Sequence, residues 1–142
     1  MTTNAARAER LVRALTAGIE GDHETVRTLV TDDVRAWTPA FATATRDELI
    51  DALDRRDEAF SDMDLRVGPL DVGGDFACVE WSVDMTHTGE LSFGPETSID
   101  PTGTRVTVHG ITVAEFDGDR ICSFPQYWDE LAVLEQLGLL GT

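Results

Sequence analysis

Two histidines, one glutamine and a set of aromatics are the residues of this chain whose types and spacing could do chemistry. His87 closes a segment whose alternation puts Ala77, Val79, Trp81, Val83 and Met85 on one face, and His87 continues that parity. If the hairpin that follows pairs Met85 near Ile111, His109 falls opposite His87 on the same face, within cross-strand reach. Histidine titrates near neutral pH, so His109 would be a general base or proton shuttle, with His87 beside it at the substrate. Phe124, Gln126 and Trp128 share a second strand parity. Two aromatics flanking one amide would suit a flat, unsaturated ligand held by stacking and a single hydrogen bond. A metal reading would recruit the same histidines with Asp84 or Glu115, but neither carboxylate has a ligand-type spacing to both, so no metal is expected. His23, between Asp22 and Glu24, reads as a surface residue at a helix start.

Composition narrows the classes further. All 11 basic residues are arginine, against 27 acidic ones, for a net charge of −16. Without lysine there is no imine catalysis and no P-loop lysine on a phosphate. So acidic a surface repels nucleic acid and anionic membrane, which are both bound through neutralised phosphate. The expected partner is a neutral, hydrophobic small molecule or another protein. No run approaches the roughly 20 apolar residues a bilayer requires, and Arg7, Arg10 and Arg13 interrupt any signal-peptide core, so a cytoplasmic location is expected. Cys78 and Cys122 lack a Cys-x-x-Cys spacing and read as buried, reduced thiols.

The elements that must position these groups follow from periodicity. Leu11, Leu15 and Ile19 recur at helical spacing, giving a helix over about residues 5–18 that Gly18 and Gly21 close. Asp22 caps a short second helix carrying Val26, Leu29 and Val30. Val34 to Pro39 is extended, because Pro39 biases Thr38 away from helix. Thr45 and Glu48 form a capping box for a third helix with Leu49, Ile50, Leu53 and Phe60 as its apolar stripe. From Met63 the period becomes two. Gly73 and Gly74 turn the chain into a strand over 76–87, and a loop over 89–103 precedes a strand over 105–116. Asp117 and Gly118 turn into a last strand over 121–127, before a helix over about 129–137. With no repeat or linker, residues 1–142 form one α+β domain: three N-terminal helices on a curved antiparallel sheet, with a C-terminal helix.

The stretch TGTRVTVHGITVAEFDGDRI from Thr102 to Ile121, followed by YWD at Tyr127 to Asp129 and LEQLG at Leu134 to Gly138, resembles the SnoaL-like polyketide cyclases of the nuclear transport factor 2 and ketosteroid isomerase superfamily. The order helix, helix, Asp32-Asp33, Pro39, helix is similar too. The resemblance implies a cone-shaped fold with a deep apolar pocket, a homodimer, and cofactor-free acid/base chemistry on polycyclic or terpenoid molecules. It also implies catalytic positions, which this chain fills differently. The cyclases' aspartate, three positions before the one that opens the final helix, corresponds to Gln126. The Arg and Asp of the epoxide hydrolases correspond to Trp81 and Val83, and the isomerases' base before the proline corresponds to Thr38. Glutamine cannot carry a proton to or from carbon.

The expectation is therefore a SnoaL-like cyclase or isomerase of hydrophobic carbonyl compounds. His109 moves the proton, Gln126 and Thr38 hydrogen-bond the carbonyl, and Trp37, Trp81, His87, Phe124 and Trp128 line the substrate. The alternative is a member of the superfamily that binds a small molecule or partner without turnover, favoured by the glutamine at 126.

Overall fold

A computed structural model describes residues 3–92 and 97–140. Helix α1, Asn4–Glu20, begins where the Thr3 hydroxyl accepts from Ala6 N–H at 3.1 Å, and it buries Leu11, Ala14, Leu15 and Ala17. Helix α2, His23–Leu29, is capped by Asp22 as expected. Strand β1, Val30–Trp37, turns at Thr38 into the short β2, Ala42–Thr43. Helix α3, Arg46–Ala59, opens on the expected box: Glu48 N–H donates to Thr45 Oγ1 at 3.2 Å, while the Glu48 carboxylate accepts from Ala44 N–H. Its stripe ends at Ala59. Phe60 is already extended and starts β3, Phe60–Gly73, instead of closing the helix.

Strand β4 runs Phe76–His87. The segment after it carries a small hairpin, β5 Leu91–Ser92 with β6 Ser98–Ile99, part of which lies outside the described residues. Strands β7, Arg105–Asp117, and β8, Arg120–Trp128, are joined by the two-residue turn Gly118-Asp119, one position later than expected, and Gly118 supplies its φ of +64°. Helix α4, Glu130–Gln136, starts from the Asp129 cap. Six strands make one curved, open sheet in the order β2-β1-β8-β7-β4-β3. All neighbours are antiparallel except β1 and β8, which run parallel, so the sheet is mixed.

Alternation sorts the sheet into two faces. On the inner face Val79, Val83, Met85, Val106, Val108, Ala114, Phe116 and Phe124 are buried in one core with Leu11, Leu49 and Leu53 from the helices. The outer face keeps Trp37, Ile111 and Tyr127 exposed. Arg7 ties the cone together: its guanidinium donates to the carbonyls of Gly74 and Gly118 and lies 5.6 Å from the Phe116 ring centre, holding α1 to two hairpin turns. Cys78 and Cys122 are free but half-buried, not fully buried as expected, and burial pushes the Cys122 thiol up. No helix of the described residues is long and apolar enough to cross a membrane.

Candidate functional site

Register decides which groups face inward. Met85 lies opposite Val106, and Ile111 lies opposite Glu80. The expected pairing of Met85 with Ile111 is thus off by an odd number of residues, and an odd slip in register reverses the face of every side chain on the strand. His109 stands opposite Ser82 on the outer face and is exposed, whereas His87 is fully buried on the inner face. The two histidines do not meet.

His87 ends β4, beside Phe60 of β3, with 5.4 Å between ring centres. Its Nδ1 accepts from Thr102 backbone N–H at 3.2 Å and lies 3.0 Å from Thr102 Oγ1. Its Nε2 is withdrawn from solvent and has no hydrogen-bond partner among the described residues. Because a backbone N–H can only donate, Nδ1 acts as the acceptor, which leaves the ring proton on Nε2. Among the described residues the buried polar side chains are Thr38, His87 and Thr112, of which only His87 is ionisable.

The inner wall continues along β7 and β8. Thr112 accepts the indole N–H of Trp81 at 2.8 Å and stands opposite Gln126, which is half-buried and whose amide has no protein partner among the described residues. Trp128, opposite Gly110, meets Trp81 edge-on at 6.2 Å and donates from its indole to Glu130 at 2.6 Å. Phe124 is buried beside Ala36 of β1. The expected flanking of Gln126 by two aromatics is therefore what the strand parity delivers.

Two expected contacts fall elsewhere. Trp37 follows the buried Ala36, so its indole points outward, 46% exposed, and packs on Tyr127 at 5.1 Å. Thr38 is buried, but its hydroxyl oxygen accepts from the N–H groups of Ala40 and Phe41 at 3.0 Å, so it shapes the turn at Pro39. His23 is not a plain surface residue either: its ring nitrogens lie 2.7 Å from Asp54 and 3.2 Å from Asp57, fastening α2 to α3. Thr112 and Thr102 were not singled out in the sequence. Thr112 shares the parity of Ala114 and Phe116, which could have identified it, whereas Thr102 sits in a loop with no periodicity to read.

An open groove of about 630 Å³ crosses the outer face, where His109, Glu80, Ser82, Ile111 and Tyr127 line it. Beside it Arg66 grips Asp84 with two bonds, at 2.7 and 3.2 Å, and the Thr107 hydroxyl adds a third at 2.6 Å. Those bonds, Arg66's first, hold the Asp84 carboxyl well below the usual carboxylate range. Groups in an open groove compete with water for every hydrogen bond, while those on the inner wall do not. Among the described residues no cluster of three or more histidine, cysteine or acidic side chains could hold a metal ion.

No curated protein matches the chain by sequence. Solved structures share its fold at low identity. A provisionally assigned SnoaL-like polyketide cyclase from Jannaschia sp. CCS1 superposes with a TM-score of 0.86 at 18% identity, covering 100% of this chain and 97% of that one. TsrD from Streptomyces laurentii gives 0.84 at 21%, covering 99% and 100%. An LEH-like epoxide hydrolase from M. tuberculosis gives 0.72 at 18%, covering 94% and 90%. These likenesses establish the cone fold. The family model described as SnoaL-like domain matches residues 8–124, most of the chain, and the chain belongs to the SnoaL-like domain family.

Proposed function

We propose that this protein is a cofactor-free cyclase or isomerase of hydrophobic, polyketide-like or polycyclic carbonyl compounds, acting on the inner face of its sheet with His87 in the place first expected for His109. The observation that supports it is the Nε2–H of His87, buried on the inner face and unpartnered among the described residues. A buried donor without a partner is costly, and a ligand's oxygen would relieve that cost. Donation to a carbonyl oxygen polarises the carbonyl and makes the neighbouring C–H bond more acidic, with water as the acceptor of the proton that leaves carbon. The Gln126 amide, between Phe124 and Trp128, is on the same face but level with Val79, eight residues along β4 from His87, so it does not reach a carbonyl oxygen held there.

Binding without turnover is favoured by one specific observation: among the described residues the buried polar ones include no carboxylate that could take the carbon-bound proton. A panel of polycyclic ketones separates the readings. The enzyme reading expects deuterium to enter the carbon next to the carbonyl in D2O faster than in buffer alone. The binding reading expects a raised melting temperature without such exchange. If no ketone does either, the inner-face site is refuted.

We place the homodimer contact on the outer face, where Trp37, Tyr127 and Ile111 form an uncovered apolar strip. Sedimentation should give a dimer for the native chain and a monomer when Trp37 and Tyr127 are both changed to Glu. A native monomer overturns the placement.

A further inference from the structure

We propose that Thr102 is a positioning residue that fixes His87 as a donor, so that the inner site selects ligands by a hydrogen-bond acceptor and rejects amines and other donors. This rests on the reading that a ligand meets His87. The segment after β6 returns to the end of β4 and clasps the histidine three ways. His87 N–H donates to the Thr104 carbonyl, and Gly103 N–H donates to the His87 carbonyl, both at 2.9 Å. Gly103, at φ +70°, makes the bend that brings Thr102 back over the ring. Thr102 then presents two donors to one nitrogen: its backbone N–H and its hydroxyl.

The hydroxyl's direction is itself constrained. Thr104 N–H donates to Thr102 Oγ1 at 3.2 Å, which occupies a lone pair of that oxygen and leaves its proton free to point at Nδ1. With Nδ1 accepting from two groups, protonation there would set one N–H against another. The proton stays on Nε2, facing the core. Thr102 is exposed while the ring it governs is buried, so the loop sets from outside what the interior offers a ligand. A ring that offers only a donor pairs with a carbonyl or an oxyanion and leaves an ammonium or amine N–H at that point without an acceptor.

The test needs no substrate. Protein labelled with ¹⁵N-histidine is read by long-range ¹H–¹⁵N correlation at neutral pH, as the native chain and as T102S, T102V and T102D. The native chain and T102S should carry the His87 proton on Nε2 with a hydrogen-bonded Nδ1. T102V, which loses the hydroxyl and keeps the backbone N–H donor, should shift the Nδ1 resonance part of the way toward that of an unbonded ring nitrogen while the proton stays on Nε2. T102D, which offers a carboxylate acceptor, should draw a proton onto Nδ1. A native ring protonated on Nδ1, or an Nδ1 resonance that T102V leaves unchanged, overturns the proposal. A purely structural role for Thr102 would not move the proton from one nitrogen to the other. Titration with 2-tetralone and with 2-aminotetralin then separates the two claims. If the ring behaves as expected but neither compound perturbs His87, the ligand reading fails and the control of the ring by Thr102 stands. If the amine perturbs it as strongly as the ketone, the selectivity for acceptors is refuted.

Discussion

Trp81 donates its indole N–H to the buried Thr112 hydroxyl at 2.8 Å, and it reaches that oxygen only because Gly110, directly opposite it on β7, has no side chain. A Cβ at position 110 would stand 2.5 Å from the Trp81 ring and 2.7 Å from the Tyr127 carbonyl oxygen. The inner wall thus depends on one absent methyl group.

Gly110→Ala should therefore be destabilising, by about 1–3 kcal/mol, the usual cost of overpacking a closed site. Thermal melts would register this as a fall of several degrees, with altered near-ultraviolet circular dichroism as the Trp81 and Trp128 rings shift. An unchanged melt and spectrum would mean that the indole does not lie over this strand.

Gln136 extends the sheet where β8 runs out. Its amide accepts from Thr107 N–H at 2.8 Å and donates to the Thr107 carbonyl at 2.9 Å, imitating a neighbouring strand and docking α4 on β7. Gln136→Ala should cost about 1–2 kcal/mol and speed hydrogen exchange at Thr107 more than at Val106 or Val108. Equal protection of Thr107 in both proteins would contradict that role.

Asp84 gives the outer face a pH dependence of known sign. Its carboxyl, held low by Arg66 and Thr107, binds a proton less tightly in the folded protein than in the unfolded chain. Its contribution is complete above the ordinary aspartate value near about 4 and fades as the pH falls below it. Urea midpoints of the native chain and Asp84→Asn should differ at pH 7 and converge toward pH 3. A gap of constant size across that range would contradict the ion pair.

The elements were legible in the sequence because each has a local cause. The Asp22 and Thr45 caps, the glycine turns, which fall one residue later than expected at Gly74-Asp75 and Gly118-Asp119, and the alternation from Ala77 to His87 all act within a few residues. Three things were not legible. The pairing of β4 with β7 is set across a long loop, where no tight turn fixes the register, and an odd slip was enough to place His109 on the wrong face. Trp37 was misplaced although the buried alternation of Val34, Ala36 and Thr38 runs through it; its size suggested a pocket, but the pleat turns it outward. The grip of Thr102 on His87 joins residues on either side of the β5–β6 hairpin, and only the folded backbone brings them together.

The central claim is that the interior acts through His87 and not through His109. It is tested most directly by calorimetric titration of a polycyclic ketone that binds the native chain into His87→Asn and His109→Asn, with melts confirming that both variants fold. Asparagine at 87 retains a polar atom near the Thr102 donors and removes the Nε2–H. Affinity should fall at least about tenfold in His87→Asn, the equivalent of roughly 1.4 kcal/mol for one lost hydrogen bond to a buried group, and stay unchanged in His109→Asn. Native affinity in His87→Asn together with a loss in His109→Asn would contradict the account and move the site to the outer groove.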